Sequence, residues 1–316
     1  MNNELLKVDR LKKYFSTKKG LLYAVDDVSF VVNEGETLGL VGESGCGKST
    51  AGRAILRLHE PTDGNIYFAG ENILTYRAGR MKEMRKKMQI VFQDPYSSLN
   101  PRMSVKALIG DSLRVNRIGS ADEREKKIRE VMDVVGLEQR LLHSYPHELD
   151  GGRRQRIGIA RALILDPKFV VMDEPVSALD VCIQAQILNL LVKLQKQFQL
   201  TYLFISHNLS VVKHISDRIA VMYLGKIVEV SDYITIFENP LHPYTKALLS
   251  SIPIPKVNNL RKRIIIEGDV PSPINPPAGC RFQGRCREYI DICSKIQPEL
   301  KAVGKSQVAC HLYNKE

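Results

Sequence analysis

The segment Gly42–Thr50 reads GESGCGKST and matches the phosphate-loop pattern G-x-x-x-x-G-K-[ST]. It follows the short apolar run Thr37–Val41 and precedes a helical pattern, Thr50–Leu58. This strand–loop–helix order is the context in which the pattern binds phosphate, because loop amides and a helix N-terminus then face the anion. The sequence therefore predicts a nucleotide site on a layered α/β fold.

Each residue type in this loop has a predicted role. The glycines let backbone N–H groups turn inward around the phosphates. Lys48 brings a positive charge to the β- and γ-phosphate oxygens, and the Ser49 hydroxyl is a ligand for Mg²⁺. Cys46 is interpreted as a small loop residue. The predicted nucleotide-binding residues here are Gly42, Ser44, Gly45, Cys46, Gly47, Lys48, Ser49 and Thr50.

Two adjacent carboxylates follow another apolar run. Phe169–Met172 is followed directly by Asp173 and Glu174. A strand that ends in this way places Asp173 near a metal at the carboxyl edge of the sheet, and Glu174 beside a water that it deprotonates or orients. Two surface acids at a strand end are the alternative interpretation. The phosphate loop in the same chain favours the catalytic one.

Residues 1–240 alternate strand-like and helix-like segments, which indicates a layered α/β fold with a mainly parallel sheet. In Ile183–Phe198 the apolar residues follow helical spacing, and we expect the whole stripe to face the core. Residues 100–150 read instead as a mostly helical insertion, with an amphipathic helix at Glu123–Val135. The predicted buried strands are Thr37–Val41, Gln89–Phe92, Phe169–Met172 and Tyr202–Ile205.

The net charge of +11 suits an anionic partner, such as a nucleotide, a nucleic acid or an anionic membrane surface. Trp is absent, which argues against a protein that stacks bases on aromatic side chains. No apolar stretch is long enough to span a membrane, and the N-terminus lacks the apolar core of a signal peptide. We therefore expect a cytosolic chain whose membrane role depends on partners.

Near the C-terminus, prolines become frequent from Asn239 onward, which predicts a linker followed by a small cysteine-containing module. In a reducing compartment a cysteine cluster indicates a metal site before disulfides. The C-x2–4-C pairs typical of zinc sites are absent, and four thiolates also hold iron–sulfur clusters. Iron–sulfur, zinc and free thiols all remain open. We expect Arg281, Arg285 and Arg287 to favour thiolate over thiol. The cysteines are Cys280, Cys286, Cys293 and Cys310, spaced C-x5-C-x6-C-x16-C.

Several motifs occur together in a fixed order, and jointly they are very specific. After the phosphate loop come Gln93, Gly151-Gly152, Asp173-Glu174, Ser177–Asp180 and His207. The set resembles the ATP-binding cassette (ABC) ATPases of membrane transporters. This resemblance implies a P-loop NTPase core with an antiparallel β portion and a helical subdomain over about residues 100–160. It also implies head-to-tail pairing of two such chains, with ATP between the phosphate loop of one and the glycine signature of the other.

The resemblance assigns roles to individual positions. Gln93 would sense Mg²⁺ and the γ-phosphate, and His207 would contact the γ-phosphate and the attacking water. Asp180 would join the two ATP sites, and Phe15 would stack on adenine, with Tyr14 as the alternative. The implied catalytic residues are Glu174 and His207, the Mg²⁺ ligands are Ser49, Gln93 and Asp173, and the signature residues that bind ATP are Asp150, Gly151 and Gly152.

Further segments are similar to the ATPase subunits of oligopeptide and dipeptide importers, most of all to the second of the two ATPases. These are residues 92–101, 238–249 and 268–277, together with the cysteines. The cysteine spacing is similar to that of a [4Fe–4S] element in that family. The implied domains are an ABC ATPase domain at 1–240 and a C-terminal module at 241–316. The implied partners are a second, homologous ATPase, two transmembrane permease subunits and an extracytoplasmic peptide-binding protein, at the cytoplasmic face of the membrane and without nucleic acid.

The signature departs from the family's usual Leu-Ser-Gly-Gly-Gln, since it reads Leu-Asp-Gly-Gly-Arg with Asp150 in the serine position. A carboxylate does not donate a hydrogen bond to a γ-phosphate unless it is protonated. Two like charges about 4 Å apart cost roughly 4 kcal/mol at an effective dielectric constant near 20. Arg153 and Arg154 are expected to offset much of this cost. We expect the composite site that uses this signature to be the weaker of two.

Three interpretations are consistent with the sequence. The first is an ATP-hydrolysing subunit of a peptide importer, or of a nickel or glutathione importer of the same family. The second is a largely regulatory partner that binds ATP but turns over little, which Asp150 favours and Glu174 with His207 oppose. The third is a cassette ATPase that acts on ribosomes or DNA, which the importer-like C-terminal segments oppose.

Overall fold

The computed structural model describes residues 3–252 and 264–313. The chain divides into two compact units, one formed by residues 1–74 with 204–316 and the other by residues 75–203. The strands are β1 Glu4–Thr17, β2 Gly20–Asn33, β3 Thr37–Val41, β4 Asp63–Phe68, β5 Glu71–Asn72, β6 Met88–Val91, β7 Phe169–Asp173, β8 Thr201–Ser206, β9 Arg218–Tyr223, β10 Lys226–Asp232, β11 Lys301–Val303 and β12 Ser306–Val308. The helices are α1 Lys48–Ile55, α2 Ala78–Lys87, α3 Pro95–Ser98, α4 Val105–Val115, α5 Ala121–Val135, α6 Gly151–Leu163, α7 Val181–Phe198, α8 Leu209–Ile215, α9 Tyr233–Glu238 and α10 Pro243–Ser250.

The first unit contains two groups of strands. β1 and β2 pair antiparallel over most of their length, and with β4 and β5 they form a sheet in the order β2-β1-β4-β5. The other group follows the order β11-β12-β10-β9-β3, and β3 lies parallel to β9 from Leu38↔Arg218 to Val41↔Val221. All five residues of β3 are buried. This β3 is the predicted strand before the phosphate loop.

The second unit combines a parallel strand pair with helices. β6 and β7 pair parallel from Met88↔Phe169 to Val91↔Met172. α4 and α5 both pack on α6. α5 begins at a reciprocal cap, in which the Ser120 hydroxyl accepts from the Glu123 N–H and the Glu123 carboxylate accepts from the Ser120 N–H. It ends at Gly136, where φ is 71°. Between residues 100 and 150 the described elements are α4, α5 and two short 3₁₀ helices, with no strand.

Some details differ from the sequence expectations. Phe198 was expected in the core stripe of α7, but 46% of it is exposed because it is the last residue of the helix. The four stripe residues that are buried are Ile187, Leu190, Leu191 and Leu194. The proline-rich stretch from Asn239, expected as a linker, contains α10, which His242 caps and which Pro243 begins. Among the helices of the described ranges, none combines the length and apolarity that crossing a membrane needs.

Candidate functional site

The phosphate loop runs between the buried strand β3 and α1, and its glycines meet close backbone neighbours. Gly47 has φ 105°, and a Cβ there would lie 1.9 Å from the Ala24 carbonyl oxygen. A Cβ at Gly42 would lie 2.1 Å from the Met222 carbonyl oxygen. Only glycine fits at these two positions, because backbone atoms of β2 and β9 touch the loop.

Lys48 is the first residue of α1, and only 4% of it is exposed. Its ammonium group donates to the carbonyl oxygens of Gly42 at 2.8 Å and Glu43 at 2.9 Å. The side chain therefore folds back over the loop, and its positive charge lies at the N-terminal end of a helix. Burial raises the pKa of the neighbouring Cys46 thiol, which keeps that side chain uncharged, as expected of a small loop residue.

The other predicted residues of the first unit are accessible to a ligand in different degrees. Ser44 and Gly45 are exposed, whereas Ser49 and Thr50 are half-buried in the first turn of α1. His207 is exposed and follows β8 directly. Exposure of the loop tip leaves its backbone free to approach a phosphate chain.

Phe15 and Tyr14 lie next to each other on β1 but differ in their contacts. The Phe15 ring is half-buried, with the His59 ring edge-on at 5.7 Å and the Lys13 ammonium 4.8 Å from its centroid. The Tyr14 hydroxyl donates to Asp26 at 2.6 Å, and burial raises the pKa of that hydroxyl. Tyr14 is committed to Asp26, so Phe15 is the better candidate for stacking on adenine.

In the second unit, Gln93 and the two carboxylates lie after the parallel neighbours β6 and β7. The Gln93 amide donates to the Glu174 carboxylate at 3.1 Å. Asp173 is fully buried as the last residue of β7, and Glu174 is nearly so. Glu174 has φ 47°, an uncommon backbone conformation for a residue other than glycine and one that clusters at functional sites. The predicted amide and carboxylates therefore meet at one edge of this strand pair.

The signature begins α6, and Asp150 caps that helix. Its carboxylate accepts from the Arg153 N–H at 2.8 Å, and the Arg153 guanidinium lies 3.2 Å from the same carboxylate. This guanidinium also donates to Glu138 at 2.8 Å. Arg154 does not offset the charge of Asp150 as expected, because it donates to the Pro146 carbonyl at 2.7 Å and lies over the Tyr96 ring. Of the two arginines, only Arg153 compensates the negative charge of Asp150, and its guanidinium is shared with Glu138.

The signature glycines pack against the start of α7. A Cβ at Gly151 would lie 3.1 Å from Leu179, and a Cβ at Gly152 would lie 2.9 Å from Ile183. Asp180 caps α7 by accepting the Ile183 N–H at 3.0 Å, and its side chain is exposed. The signature and the Ser177–Asp180 segment are thus neighbours within this unit.

The four C-terminal cysteines are free thiols in the described part of the chain, and Cys293 and Cys310 are buried. The Cys280 N–H donates to the Cys293 carbonyl at 2.7 Å. Burial raises the pKa of Cys280 and of Cys310 to about 11, and neighbouring thiols add to this effect. Within residues 3–252 and 264–313, no three His, Cys, Asp or Glu side chains are disposed to hold a metal ion.

The arginines near these cysteines do not favour the thiolate, contrary to expectation. Arg281 pairs with Asp26, Arg285 with Glu43 and Arg287 with Glu267. Their charges are directed at carboxylates, and burial raises the pKa of the Cys280, Cys286 and Cys310 thiols. The donor set has the soft sulfur chemistry of iron–sulfur and zinc sites, but its arrangement is not that of a metal site.

Comparison with known proteins identifies the family. The model of the ABC transporter family matches residues 25–177, and that of the oligopeptide/dipeptide transporter C-terminal region matches residues 228–293. The oligopeptide transport ATP-binding protein AppF of Bacillus subtilis (strain 168) is 50% identical over 98% of both chains. This chain belongs to the ATP-binding proteins of oligopeptide and dipeptide ABC transporters. The dipeptide transport ATP-binding protein DppF of Escherichia coli (strain K12) is 48% identical, covering 98% of this chain and 95% of its own.

Solved structures agree with this ABC ATPase assignment. The dimeric, post-hydrolysis structure of the ATP-binding cassette MJ0796 bound to ADP and Pi matches with a TM-score of 0.66 and 28% identity, covering 72% of this chain and 98% of that one. The structure of cbiO1 from Clostridium perfringens matches with a TM-score of 0.67 and 27% identity, covering 75% of this chain and 92% of that one. The predicted ABC fold with an antiparallel β portion and a helical part is confirmed.

Membership has direct consequences for activity. The chain is an ATPase subunit whose ATP turnover is coupled to transport, and ATP with Mg²⁺ is expected at its site. It also implies transmembrane permease partners and a dimeric ATPase.

Two residues that contact the phosphate loop were not assigned to the site from sequence. The Tyr244 hydroxyl accepts the Glu43 N–H at 2.9 Å, and the Arg285 guanidinium lies 2.9 Å from the Glu43 carboxylate. Tyr244 belongs to the segment 238–249, which resembles the peptide-importer family, and Arg285 lies between Cys280 and Cys286. Both residues are far from the phosphate loop along the chain, so the sequence did not predict these contacts. They form only in the folded protein.

Proposed function

We propose that this ABC ATPase hydrolyses ATP to power peptide import. The observation that carries the hydrolytic part is the hydrogen bond from Gln93 to Glu174, beside the buried Asp173. A carboxylate held in this way is oriented to accept a proton from an attacking water. The names of the relatives, which describe oligopeptide and dipeptide transport, support peptide as the cargo.

The proposed roles divide among the chain's own residues. Lys48 and the loop amides would hold the phosphate chain, and Phe15 would stack on adenine. Glu174 would take the proton of the attacking water, while His207 would contact the γ-phosphate and that water. Ser49, Gln93 and Asp173 carry hydroxyl, amide and carboxylate oxygens, which are the donors Mg²⁺ prefers. Bound Mg²⁺ would neutralise charge on the phosphates.

The proposed assembly contains a second, homologous ATPase, two permease subunits and an extracytoplasmic peptide-binding protein, at the cytoplasmic face of the membrane. ATP would lie between the phosphate loop of one ATPase and Asp150, Gly151 and Gly152 of the other, with Asp180 joining the two sites. The proposed division of the chain is an ATPase domain at 1–240, with its helical subdomain at about 100–160, and a C-terminal module at 241–316. Nucleic acid is not among the proposed partners.

The cargo is tested by peptide-stimulated ATP turnover of the complete transporter in liposomes, with the binding protein supplied. We expect di- or oligopeptides to raise turnover. Stimulation by nickel or glutathione, and none by peptide, would assign the chain to another importer of the same family. Co-purification with nucleic acid rather than permeases would contradict the transport assignment altogether.

Asp150 is the basis of a second prediction, that one composite ATP site is weakened. Asp150→Ser and Asp150→Asn both keep a residue that caps α6 well, and both remove the negative charge. Since Arg153 offsets that charge only in part, we expect turnover of the complete transporter to rise about three- to tenfold in both variants. Glu148→Gln, an exposed acid two positions away, is the matched control. Unchanged turnover in Asp150→Ser would show that the site is not weakened.

The regulatory alternative keeps the same fold but assigns ATP hydrolysis differently between the two ATPase subunits. In it, this chain binds ATP while the second ATPase performs most of the hydrolysis. Asp150 favours this reading, and the contact between Gln93 and Glu174 opposes it. The ATP turnover of a variant without the Glu174 carboxylate distinguishes the hydrolytic role of this chain from the regulatory one.

We also propose that the four cysteines hold a [4Fe–4S] cluster, with zinc or free thiols as the alternatives. The thiol-only donor set and its spacing support this proposal. The raised pKa values of Cys280 and Cys310 oppose it, and so does the arrangement of the four side chains, which is not that of a metal site. Full-length chain purified without oxygen is expected to show the visible absorbance and iron content of a cluster, both lost in Cys286→Ser. Cys182→Ser, an exposed cysteine on α7, is the control. Zinc without iron, or no metal, would contradict the cluster.

A further inference from the structure

The segment Cys280–Cys286, here called the cysteine loop, contacts the phosphate loop through its arginines. The Arg285 guanidinium lies 2.9 Å from the Glu43 carboxylate. The Arg285 side chain is 9% exposed and that of Glu43 is 26% exposed, so water screens this ion pair only in part. Glu43 is the residue after Gly42 and belongs to the phosphate-loop motif itself. A charge from the C-terminal region thus reaches the nucleotide site.

Aromatic rings pack near the ion pair between Arg285 and Glu43. The Phe282 ring of the cysteine loop lies 5.4 Å from the Tyr244 ring and 5.2 Å from the Tyr223 ring. The Tyr244 hydroxyl accepts the backbone N–H of Glu43 at 2.9 Å, and Tyr244 is fully buried. Glu43 is therefore held by its main chain through Tyr244 and by its side chain through Arg285.

A second chain of contacts holds the other side of the phosphate loop. Arg281 donates to the Asp26 carboxylate and to the Leu224 carbonyl. The adjacent Gly225 N–H donates to the Cys46 carbonyl at 2.8 Å, and the Gly225 carbonyl accepts the Asp26 N–H at 2.8 Å. The turn between β9 and β10 thus joins the cysteine loop to the middle of the phosphate loop.

We propose that Arg285 is a positioning residue for ATP binding, acting through Glu43 on the phosphate loop. Two physical effects make it so. The ion pair preorganises the Glu43 backbone, whose carbonyl also holds Lys48, and a loop held in its binding conformation loses less entropy when ATP binds. Arg285 also neutralises a carboxylate of the loop, which would otherwise repel the phosphate chain. The C-terminal region is then part of the nucleotide site.

The test is equilibrium binding of MgATP to the full-length chain. We expect Arg285→Ala to weaken ATP affinity about tenfold, as for the loss of one charge-assisted hydrogen bond. Arg285→Lys is expected to restore part of the affinity. Arg287→Ala is the matched control, because Arg287 is two positions along and pairs with Glu267 while both are largely exposed, at 55% and 82%. We expect its affinity to match that of the unaltered chain.

A Glu43 variant distinguishes a positioning role of Arg285 from a role in stabilising the fold. If Arg285 acts by neutralising Glu43, then Arg285→Ala costs less affinity in a Glu43→Gln background than in the unaltered chain. In the complete transporter, Arg285→Ala is expected to raise KM for ATP with little change in kcat. A purely structural role would instead lower the unfolding temperature and leave KM and the dependence on Glu43 unmoved.

Two outcomes would overturn the proposal. One is an ATP affinity of Arg285→Ala equal to that of Arg287→Ala. The other is an equal loss of affinity with Glu43 and with Gln at that position. If Arg285→Ala does not fold, Arg285→Lys decides the question, since we expect it to bind ATP more weakly than the unaltered chain, and an unchanged affinity contradicts the proposal.

Discussion

Replacement of Glu174 by Gln is expected to lower the ATP turnover of the complete transporter by about 10²- to 10⁴-fold, the range for loss of a general base. The Gln side chain has nearly the same shape, and its amide can still pair with that of Gln93, which now donates to Glu174 at 3.1 Å. Only the proton acceptor is lost. ATP binding is therefore expected to remain, so that the variant holds ATP without hydrolysing it.

The measurement is peptide-stimulated ATP turnover in liposomes, comparing the chain as given with Glu174→Gln. Glu148→Gln serves as the control for a carboxylate-to-amide change at an exposed position. If turnover of Glu174→Gln were unchanged, the second ATPase would drive transport and this chain would be the regulatory partner. A loss of ATP binding together with turnover would point to damage of the site rather than to the missing base.

Replacement of Lys48 by Ala is expected to weaken MgATP binding about 100-fold, near the upper range for a hydrogen bond to a charged group. Lys48 is buried at the start of α1, where its ammonium group lies against the Gly42 and Glu43 carbonyls. Without it, those carbonyl dipoles face the phosphate chain uncompensated. The change thus removes the attraction between the Lys48 ammonium group and the phosphates, and it leaves the repulsion between the phosphates and the carbonyl oxygens.

Equilibrium titration of the full-length chain with MgATP measures this effect. Lys18→Ala is the control, because Lys18 is exposed at the turn between β1 and β2. An affinity of Lys48→Ala within twofold of the control would contradict the assignment of the phosphate loop as the ATP site. The unfolding temperature should be recorded for both variants, since relief of a buried charge can stabilise the folded state.

Prediction from sequence was most accurate where the cause is local. β3 has the bounds expected from its apolar run, because five consecutive buried residues need no distant information. α5 was expected at Glu123–Val135 and begins two residues earlier, at a cap formed by Ser120 and Glu123. Phe198 shows the limit of the same reasoning, since helical spacing does not reveal where the surface covering that helix ends.

Charge pairing was the least predictable property. Arg153 and Arg154 are adjacent, and only the positions of Glu138 and Pro146 decide which of them faces Asp150. The partners of Arg281 and Arg285 lie 255 and 242 residues away along the chain. An ion pair between such distant residues leaves no periodic pattern in a single sequence.

The amino-acid sequence was sufficient for the layered α/β class and for the phosphate loop, because glycine spacing and apolar runs are properties of contiguous residues. The ABC fold and the family followed from the resemblance that the ordered motifs carry. The tertiary structure alone decided that Tyr14 is tied to Asp26 while Phe15 is not, and that Arg285 reaches Glu43. It also decided that burial raises the pKa of the Cys280, Cys286 and Cys310 thiols. Long-range charge contacts, and the burial of the ionisable groups that make them, arise only when distant segments exclude water together, and no local pattern encodes them.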